Sequence, residues 1–247
     1  MYNLSMKVSF KIKKDYLISH ALLSASNDRF SSEKNRKDIV EFQNYAWKVS
    51  KDLYSVIPGR SGADILLDDG GLKKYQKMTN RLQSYFRVLS KSKEFKKIHN
   101  QTEQYRKFCA NQWKKNYKRA SGVIKELTQL KLNDSFTVFI THPSLKNGRN
   151  LKANKIAWGH TEDWKNYTSV YIWHEILHSY FDKSDLNHTL IELIADNELR
   201  YRLNGTKYPP FEGHEYLLKI KKRMFPNWKK YLKSEHKDFN RFRDGLR

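Results

Sequence analysis

Residues 174 to 178 read His174-Glu175-Ile176-Leu177-His178. On a helix, side chains four positions apart share a face, so both imidazoles can point at one ion. Glu175, beside them, can reach a water on that ion. Two imidazoles and a nearby carboxylate are the usual start of a zinc hydrolase site, which also needs a third protein ligand and an open position for water.

A second stretch offers that third ligand. Residues 192 to 196 read Glu192-Leu193-Ile194-Ala195-Asp196 and lie in an apolar-periodic run from Leu186 to Leu203. On a helix Glu192 and Asp196 share a face. One carboxylate can bind the ion, and the other can accept a hydrogen bond from the free ring nitrogen of a ligating histidine, fixing its tautomer. His188, one turn before Glu192, is an alternative ligand. Glu198 and Asp196 itself are further alternatives.

His-Glu-x-x-His followed by Glu-x-x-Ala-Asp on the next helix resembles the gluzincin group of zinc metallopeptidases. The likeness covers about 30 residues, Tyr171 to Leu203, of the 247. It implies one zinc ion held by His174, His178 and Glu192, with Glu175 as catalytic base and Asp196 as the partner of a ligating imidazole. The metzincin pattern would need a histidine at position 184, which is Ser184. The 13 residues between His178 and Glu192 require a compact turn over 181–187. Such a site implies hydrolysis of peptide bonds. Zinc acidifies water and polarises a carbonyl, and Glu175 carries the proton. A further donor must meet the oxyanion. Tyr201, Arg202, His188 and His214 are the candidates for that role or for holding substrate.

The elements around these residues follow from pattern. No Gly or Pro interrupts 169–181, and Val170, Trp173, Leu177 and Phe181 recur at helical spacing. Thr168 or Ser169 can cap this helix. Asn204-Gly205 is a helix stop for the second one. Upstream, Ser135 to Ile140 reads as a strand and His142-Pro143 ends it. Ser144 to Asn150 reads as a polar turn around Gly148. Lys155 to Trp158 is a second short strand. The family resemblance implies an edge strand above the metal that pairs with extended substrate, and 155–158, including Trp158, is the candidate.

The first half is helical by pattern. Ile39, Phe42, Ala46, Val49 and Leu53 mark one helix. A glycine-containing loop follows over 58–71. Leu72, Tyr75, Met78, Leu82, Tyr85 or Phe86, and Leu89 mark another helix. Phe95 to Leu127 holds one or two more. The fold class expected is α+β, predominantly helical: a basic helical region over 1–133, then a zincin-like region over 134–247 with a short sheet, an active-site helix and a glutamate helix. The two regions are compatible with one compact domain.

Composition bounds the partners. No run of 18 apolar residues exists, so no membrane span is expected. The first 14 residues lack the continuous apolar core of a secretion signal. One cysteine, Cys109, excludes an intrachain disulfide and a cysteine-rich zinc ribbon. These features suit the cytoplasm and are compatible with an exported mature form. The net charge is +22, and residues 72–119 hold 15 basic side chains against two acidic ones. That region could bind nucleic acid or another polyanion, besides the peptide or protein substrate of a peptidase. The alternative to the peptidase is thus a basic nucleic-acid-associated protein with a structural or degenerate metal site.

Overall fold

A computed structural model describes residues 6–23, 33, 35–57, 62–68, 71, 79–151, 153–205, 207–211 and 213–246. Leu72, Tyr75 and Met78 of the expected helix, and part of the expected loop over 58–71, lie outside these residues. The described chain is mostly helical with one four-stranded mixed sheet.

The sheet comprises β1 (Lys7–Lys11), β2 (Ser135–Ile140), β3 (Asn147–Leu151) and β4 (Lys155–Gly159), in the order β1-β2-β4-β3. β1, β2 and β4 run parallel, and β3 is antiparallel to β4. Alternation along β2 divides its side chains between two cores. Phe136, Val138 and Ile140 join Trp158 and Trp173 in one, while Phe139 joins Leu145 and Ala157 in the other. The second core is completed by helices α1 (Lys14–Leu23), α2 (Arg36–Val49), α3 (Lys51–Ser55) and α4 (Thr79–Lys91). Helices therefore cover both faces of the sheet.

Two strand readings are corrected. Residues 147–151 form β3 rather than part of a turn, and β3 is an edge of the sheet. β4 pairs on both sides, so 155–158 is an internal strand. Asn-Gly-Arg-Asn-Leu has turn-forming composition, and its pairing to β4 overrides that local preference. β1, in which Val8 and Phe10 alternate with polar residues, pairs with β2 from the middle of the chain, so one sheet joins the regions before and after residue 133.

The span from Phe95 to Leu127 is one helix, α5 (Lys93–Thr128), started by Ser92, whose Oγ accepts the N–H of Phe95. The helix marked by Ile39 to Leu53 breaks at Ser50, which caps α3. α5 supports α6 (Tyr167–Leu177), which carries the histidine motif: Trp173 packs on Trp113 and Tyr117. The start of α6 is not capped by its own hydroxyls. Glu162 Oε1 accepts the N–H of Thr168 at 2.9 Å, and Gln112 Oε1 accepts that of Ser169 at 2.8 Å. Next come α7 (Asp185–Ile191), a π-helical stretch (Glu192–Leu199) and α8 (Arg200–Asn204), closed by Gly205 at φ 65° as the Asn-Gly signal implies. α9 (Leu218–Lys233) and α10 (Phe239–Asp244) complete the order. Among the described residues no helix is long and apolar enough to cross a membrane.

Candidate metal centre

His174 is buried on the last turn of α6, and His178 follows immediately after that helix. Their Nε2 atoms face each other at 3.2 Å. Two imidazoles bound to one tetrahedral zinc at about 2.0–2.1 Å would place their nitrogens roughly 3.3 Å apart. His188, from α7, brings its ring to 4.7 Å from that of His178 and 5.5 Å from that of His174, centre to centre. One ring nitrogen from each of the three lies within 4.8 Å of the others. His188 Nε2 is buried with no hydrogen-bond partner. A buried lone pair without a donor is costly and suits an ion.

Asp196 Oδ1 lies 3.0 Å from His174 Nδ1, so His174 donates there and turns its Nε2 toward the cluster. The structure thus places Asp196 within hydrogen-bond distance of His174. Burial opposes protonation of His174, but the charge and hydrogen bond of Asp196 outweigh it and hold its pKa at about 9. Burial, with the neighbouring imidazoles, pushes His178 down to about 3 and His188 down to about 4. Both are therefore neutral donors near neutral pH, as metal binding requires. Burial raises the carboxyl of Glu175 above its ordinary range.

Glu192 has a different set of neighbours. It is fully buried, with Lys221 Nζ at 2.6 Å from Oε2. Its Oε1 accepts the backbone N–H of His214 at 2.8 Å and lies 3.0 Å from His214 Nδ1. Burial works against this carboxylate, yet hydrogen bonds from Lys221 and His214 hold its pKa below the ordinary value. The preceding Gly213 sits at φ 113°, and a Cβ there would fall 2.3 Å from Glu192 Oε1. Glu192, His188 and His214 form a second group close enough to hold an ion. His174, His178, His188, Glu192 and His214 thus lie close together as a cluster that could hold a metal ion.

Two clefts of about 450 and 510 Å³ meet at this cluster and share Gly148, His174, Glu175 and His214. One runs past Trp158, His160, Tyr167 and Tyr171, and the other past Asn150, Asp182 and Ser184. The edge strand β3 lines both. Asn150 Nδ2 donates to the carbonyl of Glu175 and to Ser179 Oγ, each at 2.8 Å, tying β3 to the end of α6. A Cβ on Gly148 would press on the Trp158 ring at 3.2 Å and Glu175 Oε1 at 3.4 Å, so glycine lets the strand pass close over the carboxylate.

His188, His214 and Trp158 lie at the clefts. Tyr201 and Arg202 line neither. Arg202 is held by Glu126 at 2.8 Å and Glu198 at 3.2 Å, and Tyr201 packs on Tyr208. The π-helical stretch makes wide i→i+5 turns, so faces projected at 3.6 residues per turn do not hold beyond Glu192. Lys221 was not among the sequence candidates. A signal for it exists: Leu217, Met224, Trp228 and Tyr231 form a buried stripe at helical spacing, and a lysine occupies one of its positions.

No protein-family model, curated protein or solved structure matches the chain.

Proposed function

We propose that the protein is a zinc-dependent metallopeptidase with a zincin-like site. The observation that carries this reading is the convergence of His174, His178 and the unpartnered nitrogen of His188 beside Glu175, under a strand edge. Three imidazoles suit zinc or a neighbouring transition metal, with the His174 proton released as the ion binds. His174, His178 and His188 would hold the ion. The reading keeps His174, Glu175, His178 and Asp196 in the roles that the gluzincin resemblance implies. It moves the third ligand from Glu192 to His188, because both Glu192 oxygens are engaged by Lys221 and His214.

Zinc bound there would supply a Lewis acid that polarises a carbonyl and lowers the pKa of water to about 7. A peptide lying along β3 can pair with its outer edge and be held extended across the cleft. Glu175 takes the proton of the attacking water and passes it to the leaving amine. His214, half-exposed and anchored through Glu192, faces both clefts and is placed to contact substrate. Asp196 keeps the His174 ring oriented throughout.

The test is Glu175→Gln in zinc-loaded protein, assayed on a quenched-fluorescence peptide library. The variant should bind zinc as the parent does and lose cleavage by at least about a hundredfold, the lower range for a general base. Full activity in the variant would remove Glu175 from the mechanism.

A further inference from the structure

We propose that the outer face of α5 binds the phosphate backbone of double-stranded nucleic acid. This inference is independent of the peptidase reading. Lys93, Lys96, Lys107, Lys114, Lys118 and Lys125 are all exposed on this one helix. At 3.6 residues per turn they fall within about 60° of one another, and the row extends roughly 48 Å. None of the six forms an ion pair with a described carboxylate. Asn100, Gln104 and Asn111 fill the gaps on the same exposed face. Neutral amides of this kind also bond phosphate oxygens. The two acidic residues between Lys93 and Lys125, Glu94 and Glu103, are half-buried at the margins, and Glu103 is paired with Arg106 at 2.6 Å.

The composition of the face selects the partner. A membrane surface is gripped by apolar side chains set among the cations, and single strands are gripped by aromatic platforms. This face has one exposed large apolar side chain, Phe108. A continuous row of cations and amides, with almost nothing to stack or insert, matches a regular series of phosphates. Binding is therefore independent of base sequence and strongly dependent on salt. If each of the six lysines neutralises one phosphate, log K falls against log salt with a slope of about −5, near a thousandfold loss from about 50 to 200 mM salt.

The experiment is fluorescence anisotropy of the full chain with two duplexes of unrelated sequence, each about 20 base pairs and so longer than the row at 3.4 Å per pair. Lys107, Lys114, Lys118 and Lys125 are changed together to Gln. A control variant carries Lys219→Gln, Lys222→Gln, Lys230→Gln and Lys233→Gln on the exposed side of α9, the same change in net charge. The first variant should reduce the slope by between about 3 and 4 on both duplexes alike. The control should keep most of the slope, with unchanged melting temperatures in both. Loss of the slope equally in both variants would overturn the assignment to α5. Absence of duplex binding at low salt would overturn the proposal, as would equal or tighter binding to a single strand, to polyglutamate or to phosphatidylserine vesicles.

Discussion

Replacing Lys221 with Met should destabilise the metal-free protein severely. Lys221 and Glu192 are both fully buried, and their charges meet at 2.6 Å. Methionine fills a similar volume but leaves the Glu192 carboxylate without its cation. Breaking a buried pair from one side costs about 3–5 kcal/mol, because an uncompensated charge stays inside. For a chain of this size each kcal/mol lowers the melting temperature by about 2–4 °C, so the expected drop is roughly 6 to 20 °C. The double variant Lys221→Met/Glu192→Gln removes both charges and keeps an oxygen to accept the His214 N–H. It should recover most of the loss, since a neutral pair of similar volume is often as stable as the ion pair it replaces. Urea unfolding in the presence of chelator measures all the forms. A single variant costing under about 1 kcal/mol, or a double variant no more stable than the single, would refute the argument.

Two other outcomes follow from the same geometry. Asp196→Ala removes the acceptor that orients His174 and should weaken zinc binding by about 10- to 100-fold in chelator competition, with Asp196→Asn losing less. His142, outside the metal cluster, is held down at about 4 by burial, with Asp38 opposing; Ser144 N–H donates to its Nδ1 at 3.2 Å, and its Nε2 lies 2.9 Å from Gln101 Oε1. The folded state therefore takes up this proton less readily than the unfolded chain, whose value is about 6.5. Stability from neutral His142 is complete above about pH 6.5 and lost as pH falls toward 4, by up to roughly 3 kcal/mol. His142→Gln should flatten that part of the urea-midpoint profile, and an unchanged slope would contradict the burial argument.

The residues differ in how far the sequence revealed them. His174 and His178 were legible because their spacing fixes a shared face, whereas Asp196 reaches His174 from a π-helical stretch that an α-helical projection does not describe. The Asn204-Gly205 stop was legible because the left-handed residue there favours glycine. The choice between His188 and Glu192 was open because they are one turn apart, and what distinguishes their surroundings is Lys221, 29 positions beyond Glu192, together with the loop at Gly213. β3 was hidden because its polar residues are held by pairing to β4 and by Asn150 bonding α6, neither of which leaves a local pattern. The π-helical stretch was hidden for a related reason: over eight residues its buried positions do not distinguish an i→i+5 from an i→i+4 turn. α5 was legible as helix but not as one piece, since its buried positions continue without a break that pattern could confirm or deny.

The most direct test of the metal centre is a crystal structure of the zinc-loaded protein. Nitrogens of His174, His178 and His188 should lie about 2.0–2.1 Å from a single ion, with Glu192 still paired to Lys221 and the Glu175 carboxylate facing the open position. An ion bound by Glu192 in place of His188, with Lys221 displaced, would contradict the three-histidine account.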